Sequence, residues 1–304
     1  MSENKQVILT TDLPLPVFSQ GKVRDTYDLD DRLLIVATDR ISAFDFVLPS
    51  GIPDKGLVLN QLSSFWFRQT ANLLSNHIVE VIDNVSRLDT HLPAGSRFPY
   101  PAYLAGRTVI VKKAKRIPVE CVVRGYISGS AWKEYQQYGT VSGMPLPEGL
   151  QQSQELPMIL FTPTTKADEG HDEPMSMDEV GRLIGADLAD EIREKTLAIY
   201  GYARRYAADK GIIIADTKME FGLVDGKLIL IDELLTPDSS RLWDTALYTI
   251  GQEQPSYDKQ PVRDWLAGSG WDQQSAVPAL PPEVIASTTE RYKTAYSRIT
   301  GREL

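Results

Sequence analysis

The sequence predicts an α+β protein, and three observations carry that expectation. The first hundred residues are short apolar runs broken by turn residues, the second half holds long helical periods with capping signals, and two strand-like runs, "IIIADTKMEFG" and "KLILIDE", stand side by side in the chain. A chain of 304 residues is long enough for one large or two medium domains with a full hydrophobic core. Neither disulfides nor a structural metal is needed to hold it.

Each element follows in order. "QGKVRDTYDLDDRLLIVATD" reads as strand, turn, strand, with Asp30 and Asp31 at the turn, so an antiparallel sheet is expected. A helix is expected over "NQLSSFWFRQTANLL", where Leu62, Phe65, Leu73 and Leu74 favour one side and Asn60 can cap the start. "RTVIVKKAK" and "PVECVVRGYI" are further strands, and "SGSAWKEYQQYG" is a short helix. "MPLPEGLQQSQELP" has neither period and is expected as an exposed loop. Ser176 with Glu179 forms a capping box, Gly185 offers a stop, and a longer helix to about Lys210 buries a stripe through Leu188, Ile192, Ile199, Ala203 and Tyr206. "PPEVIASTTERYKTAYSRIT" closes the chain as a helix with proline in its first turn.

The balance of 41 acidic against 32 basic residues, a net charge of −9, disfavours general binding to nucleic acid or to an anionic membrane. No apolar run approaches the ~18 residues that span a bilayer. Cys121 is the single cysteine, and the start MSENKQ lacks a secretory pattern, so a reducing cytoplasm is expected. His77, His91 and His171 are scattered without zinc spacing, and any catalytic metal is expected on oxygen ligands. Cys121, among Val119, Val122 and Val123, reads as a small core residue. "KKAKR" at 112–116 reads as a solvated strand end or a phosphate neighbour. "ATDRISAFD" places Asp39, Arg40, Ser42 and Asp45 after a strand, either as a substrate-facing turn or as structural Asp–Arg pairs.

The densest chemistry lies in the two late strands. Side chains two apart share a face, so Asp216, Lys218 and Glu220 project together and Thr217, Met219 and Phe221 project oppositely. Whether Asp232 joins them depends on the loop. A two-residue Asp225-Gly226 turn would set Glu220 and Asp232 on opposite faces, whereas a three-residue loop, Val224 to Gly226 with a glycine bulge, pairs Lys218 with Asp232. The three-residue loop is expected. Glu220 and Asp232 then suit Mg²⁺ shared with a polyphosphate, with Lys218 on another phosphate oxygen or on a carboxylate. A solvated salt-bridge ladder is the other reading.

Two more segments suit anions. The turn Gln20-Gly21-Lys22-Val23-Arg24 lets a backbone approach phosphate, with charge from Lys22 or Arg24, although one glycine beside basic residues is usually just a hairpin turn, and it is not a P-loop. In "RGYISGSAW" a strand ends at Arg124, and Gly129 and Ser130 open a helix whose free N–H groups can hold a phosphate monoester or simply carry a cap.

"IIIADTKMEFG" and "IPVECVVRGYISGSAW" together closely resemble the two signature regions of the SAICAR synthetase family. "QGKVRDTYDL", "ATDRISAFDFVLPSGIPDKGLVLNQLSSFWF", "FTPTTKADEGHDEP" and "IDELLTPDSSRLWD" add similarity in the family's order, from Gly21 to about Asp244. Ser128 departs from the Thr or Ala usual there. The resemblance implies a two-lobed fold, an antiparallel β-rich ATP-binding lobe (1–117) and an α/β lobe with the ribotide and metal site (118–304), with a cleft between them. It implies ATP- and Mg²⁺-dependent coupling of the carboxylate of a carboxyaminoimidazole ribotide to the amine of L-aspartate, in a monomer or small homo-oligomer. It makes Glu220 and Asp232 the metal carboxylates, Lys218 a nucleotide contact, and Gly21, Lys22 and Arg24 the flap above the ATP phosphates. Arg124, Ser130, Asp216, Asp238 and Arg241 would line the ribotide site, with Asp216 also able to accept the amine proton. Lys166, His171 and Asp172 become further candidates for nucleotide or aspartate. A small-molecule or lipid kinase, and a nucleotide sensor without chemistry, are the alternative readings.

Overall fold

The structure is a computed structural model and describes residues 6–92, 95–166 and 173–304. His171 and Asp172 lie outside the described residues. In chain order come β1 (Val17–Gln20), β2 (Arg24–Leu29), β3 (Arg32–Ala37), β4 (Arg40–Ala43), β5 (Phe46–Gly51), α1 (Lys55–Gln69), β6 (Ile78–Ile82) and β7 (Thr108–Lys112). They are followed by β8 (Lys115–Arg116), β9 (Val119–Tyr126), α2 (Gly129–Tyr138), β10 (Thr140–Val141), β11 (Met144–Pro145), β12 (Glu155–Phe161) and β13 (Thr164–Thr165). The rest is α3 (Met177–Ile184), α4 (Ala186–Ala208), β14 (Ile212–Val224), β15 (Lys227–Ile231), β16 (Ser240–Asp244), α5 (Gln260–Gly268) and α6 (Pro282–Thr300). The expected α+β class holds.

Two compact units result. The first comprises Met1–Phe67, His77–Lys113 and Asp258–Leu304; the second comprises Arg68–Asn76 and Ala114–Tyr257. This division differs from a single cut at 117/118, because the last segment returns to the first unit. The reason is apolar burial: Val262 and Leu266 of α5 and Leu280 pack with Ile41, Leu48 and Ile52. Closing such side chains off from water stabilises by roughly 1.5–3 kcal/mol each.

In the first unit an antiparallel sheet runs β1-β2-β3-β7-β6. The expected turn at Asp30 and Asp31 is present, with Leu29 opposite Arg32 and Asp30 at φ 63°. Helix α1 begins five residues before Asn60, so Asn60 is no cap; its amide donates to Gly106 C=O at 2.7 Å from inside the helix. The first turn is instead capped from a distance, since Asp39 Oδ1 accepts from Gly56 N–H at 2.9 Å and from Arg107 at 2.9 Å. Arg40 pairs with Asp25 at 2.7 Å. Of the two readings of "ATDRISAFD", these contacts give Asp39 and Arg40 the structural one.

In the second unit the order is β12-β9-β14-β15, with β13 on β9 and with β8 and β16 on β14, all antiparallel. The capping box of Ser176 and Glu179 is formed, and α4 buries Ile192, Ile199 and Ala203 completely. Tyr200 of α4 donates to Ile214 C=O at 2.6 Å, fastening the helix to the central strand. The stretch expected as an exposed loop is only partly exposed: Leu146, Leu150 and Leu156 pack with Ile127, Ala131 and Val141. Its apolar residues fall at irregular spacing, which hides burial from a periodicity argument.

Candidate active site

The central pair β9 and β14 builds a charged face. Their register sets Asp216 opposite Arg124, Thr217 opposite Val123, Lys218 opposite Val122 and Met219 opposite Cys121. Strand alternation then turns Glu120, Arg124, Asp216, Lys218 and Glu220 to one side. Cys121, Val123, Met219 and Phe221 are buried on the other. Cys121 is a core residue as expected, and burial pushes its thiol up, which makes it inert.

On the charged side Glu120 accepts from Lys218 Nζ at 2.8 Å and from Lys166 Nζ at 3.2 Å, and Lys166 reaches Glu220 at 2.7 Å. Burial alone would raise the Glu120 carboxyl, but the ammonium groups of Lys218 and Lys166 hold it below its ordinary value. Glu220 goes the other way, raised first by burial and then by the charge of Asp232. Burial disfavours the Lys166 ammonium, yet Glu220, Glu120 and Asp232 keep it raised. Glu120 escaped the sequence reading. The signal was an acid set within the apolar run "VECVV", where a surface role is implausible.

The Asp225-Gly226 turn corrects an expectation. Val224 faces Lys227 and Glu220 faces Ile231, so the loop has two residues, at φ 51° and 75°, and no glycine bulge. Lys218 does not pair with Asp232. Two successive positive φ values match the twist of the flanking strands, which is why Asp-Gly selects this turn. By parity alone Asp232 would face away from Glu220. Asp232 lies just beyond the end of β15 at Ile231 and takes φ 61°, outside the alternation of the strand, and its charge acts on both Glu220 and Lys166.

These residues fit a hard divalent cation. Burial raises Glu220 and the charge of Asp232 raises it further, and a cation relieves both. Among the described residues no group of three or more His, Cys, Asp or Glu side chains forms a metal cage. Mg²⁺ suits two carboxylates, because it keeps waters and substrate phosphate as its other ligands.

A second charged cluster, Asp216 between two arginines, lies farther along the same sheet. Asp216 Oδ2 accepts from Arg241 Nη1 at 2.5 Å and from Arg124 Nη1 at 3.3 Å, and Arg124 Nε donates to Thr162 at 3.0 Å. The pairing is built into the sheet, since Asp216 has Arg124 opposite on β9 and Arg241 opposite on β16. Burial lowers the Arg124 guanidinium from its ordinary value. The Arg241 guanidinium lies over Gly129 at the start of α2, where a Cβ would meet Nη2 at 2.3 Å. Ser128 caps that helix by position but makes no side-chain cap bond, and its buried hydroxyl has no partner. Ser130 is exposed in the first helical turn. Free N–H groups at a helix N-terminus beside two arginines have the chemistry to hold an anion. Asp238 is half-buried in the turn before β16, its N–H donating to Thr236 Oγ1 at 3.2 Å. In the first unit Gly21 and Lys22 are exposed between β1 and β2, Arg24 begins β2, and Lys22 pairs with Asp45 at 2.6 Å.

Fold and site set a lysine–carboxylate cluster and an arginine-framed carboxylate on one antiparallel sheet, a combination suited to an enzyme that handles phosphate groups. The SAICAR synthetase family model matches residues 17–278. Phosphoribosylaminoimidazole-succinocarboxamide synthase of Thermodesulfovibrio yellowstonii is 51% identical over 298 residues, 98% of this chain and 100% of that one. The enzyme of the same name from Geobacter sulfurreducens is 51% identical over 98% of this chain and 99% of its own. SAICAR synthase of Saccharomyces cerevisiae, solved with SAICAR, superimposes with a TM-score of 0.89 at 44% identity, covering 98% and 99% of the two chains. A SAICAR synthetase solved with ADP superimposes at 0.67 with 28% identity, covering 95% and 99%. The chain belongs to the SAICAR synthetase family, and it is an ATP-dependent ligase of purine biosynthesis.

Proposed function

We propose that the chain joins the carboxylate of carboxyaminoimidazole ribotide to the amine of L-aspartate, with the two clusters of the second unit dividing the work. The observation that carries this reading is Asp216 fixed between Arg124 and Arg241 beside the open N-terminus of α2. That arrangement suits a ribotide phosphate, with Ser130 and Asp238 at hand for further hydrogen bonds. An oxygen already shared by two guanidiniums suits Asp216 to holding the arginines better than to collecting a proton. The carboxylate and lysine cluster then serves the reacting end. Lys218 and Lys166, raised by their acidic neighbours, remain cationic and can neutralise phosphate oxygens. Glu220 and Asp232 would hold Mg²⁺, which when bound offsets charge on the transferring phosphoryl group. The turn at Gly21, Lys22 and Arg24 receives the ATP phosphates, and the first unit is the nucleotide lobe.

The chemistry needs activation, because a carboxylate resists attack by an amine. The γ-phosphoryl group of ATP passes to a carboxylate oxygen of the ribotide, leaving ADP. The aspartate nitrogen attacks the acyl carbon, phosphate departs with the carbon–oxygen bond pair, and the nitrogen loses a proton. Among the described residues no helix is long and apolar enough to cross a membrane, and the cytoplasm is the proposed compartment. The test is release of ADP and phosphate with ribotide or aspartate omitted in turn. A ligase needs both substrates, whereas ADP released without inorganic phosphate would indicate a kinase and defeat this reading.

A further inference from the structure

We propose that Arg40 is the positioning residue that presets the 21–24 turn for nucleotide phosphate; the inference rests on the reading that this turn receives the phosphates of ATP. Arg40 Nη2 donates to Gly21 C=O at 2.8 Å and Nε donates to Lys22 C=O at 3.3 Å. The same guanidinium is anchored by Nη1 to Leu9 C=O at 2.6 Å and by Nη2 to Asp25 Oδ1 at 2.7 Å. Asp25 is itself held, its Oδ2 accepting from Thr11 N–H at 3.0 Å and from Thr11 Oγ1 at 2.8 Å. Arg40 is therefore a fixed strut, its side chain 12% exposed.

The other two carbonyls of the turn are also occupied. Val23 C=O accepts from Thr38 N–H and from Thr38 Oγ1, both at 2.9 Å, and Arg24 C=O accepts from Gly21 N–H at 2.7 Å. In a trans peptide the C=O of one residue and the N–H of the next point in opposite directions. Drawing Gly21 C=O and Lys22 C=O toward Arg40 consequently turns the N–H groups of Lys22 and Val23 away from it. Among the described residues no acceptor takes either N–H. Successive N–H groups with their carbonyls withdrawn form a concavity suited to phosphate, and the strut removes the cost of ordering it at binding.

Lysine at 40 keeps a charge for Asp25 but has no fork to span two carbonyls and a carboxylate. Two variants test the strut: R40K, and T38V, which removes the hydroxyl that donates to Val23 C=O at 2.9 Å and accepts from Arg40 N–H at 3.4 Å, without burying a charge. The measurements are ADP titrations followed at ¹⁵N-labelled Lys22 and Val23 amides, KM for each substrate, and the melting temperature. In the unaltered protein both amides should shift on adding ADP. R40K should need about tenfold more ADP, raise KM for ATP by the same factor and leave KM for the ribotide unchanged, with T38V showing a smaller rise of the same kind. An R40K protein with a lowered melting temperature and unaltered ADP affinity overturns the proposal while the reading of the turn stands. Amides of the unaltered protein that ignore ADP overturn that reading, and the proposal with it. If R40K does not fold, T38V decides: unchanged affinity for ADP overturns the strut, reduced affinity supports it.

Discussion

Gly129 lies beneath the guanidinium of Arg241, so close that a Cβ at 129 would stand 2.7 Å from Cζ. Gly129 also has φ 57°, a conformation that penalises any L side chain. Gly129→Ala should cost roughly 1 kcal/mol of stability from the backbone alone. Arg241 can swing aside, so the fold survives but the cluster around Asp216 opens. KM for the ribotide should rise about tenfold while KM for ATP stays put, and steady-state kinetics in both substrates checks the split.

Asp216→Asn leaves two guanidiniums facing each other without their shared anion. Breaking one side of a buried pair costs about 3 kcal/mol, and partial exposure of Arg241 brings the expected loss nearer 2 kcal/mol. Urea unfolding should register this as a lower midpoint with an unchanged slope. The displaced arginines should also lower kcat/KM about a hundredfold. Full activity in the asparagine variant would show that the arginines need no anchor.

Glu220 links stability to pH with a definite sign. Its folded carboxyl is raised above 4.5, by burial first and by Asp232 second. The folded state therefore binds that proton more tightly than the unfolded chain. This contribution to stability is complete below 4.5 and disappears as pH rises through the raised value. At neutral pH the ionised form is a burden, so Glu220→Gln should not lower the melting temperature at pH 7. Turnover should nevertheless fall by roughly three decades. Melting curves against pH, with and without Mg²⁺, separate the two effects, and Mg²⁺ should bind more weakly as acid protonates Glu220.

Glu80 behaves oppositely. Hydrogen bonds from Arg87 first and His91 second hold its carboxyl at about 2, below the ordinary 4.5. The stabilisation is present above 4.5 and is lost as pH falls toward 2. Glu80→Gln should melt earlier than the parent at pH 7, and the gap should close as pH approaches 2. A gap independent of pH would mean that packing, not charge, is being lost.

Strands and helix caps were legible because they depend on neighbours in sequence: Ser176 and Glu179 form their box, and Asp216, Lys218 and Glu220 share a face as alternation requires. What escaped depends on distant partners. The cap of α1 comes from Asp39, which lies outside any local window, and so the helix start was misplaced at Asn60. The loop between β14 and β15 differs from the expectation because Asp-Gly favours the two-residue turn, and Asp232, beyond the last paired residue and at positive φ, is outside the strand to which parity applies. Glu120 was overlooked because its meaning comes from Lys166 and Lys218, far away in the chain.

The discontinuous first unit bears on synthesis. Its sheet is complete by Lys112, but Ile41, Leu48 and Ile52 are covered by Val262, Leu266 and Leu280. On the ribosome, an apolar face waits uncovered while nearly half the polypeptide is still being made. The intervening unit can fold in that interval, so the earliest residues translated belong to the last body to mature.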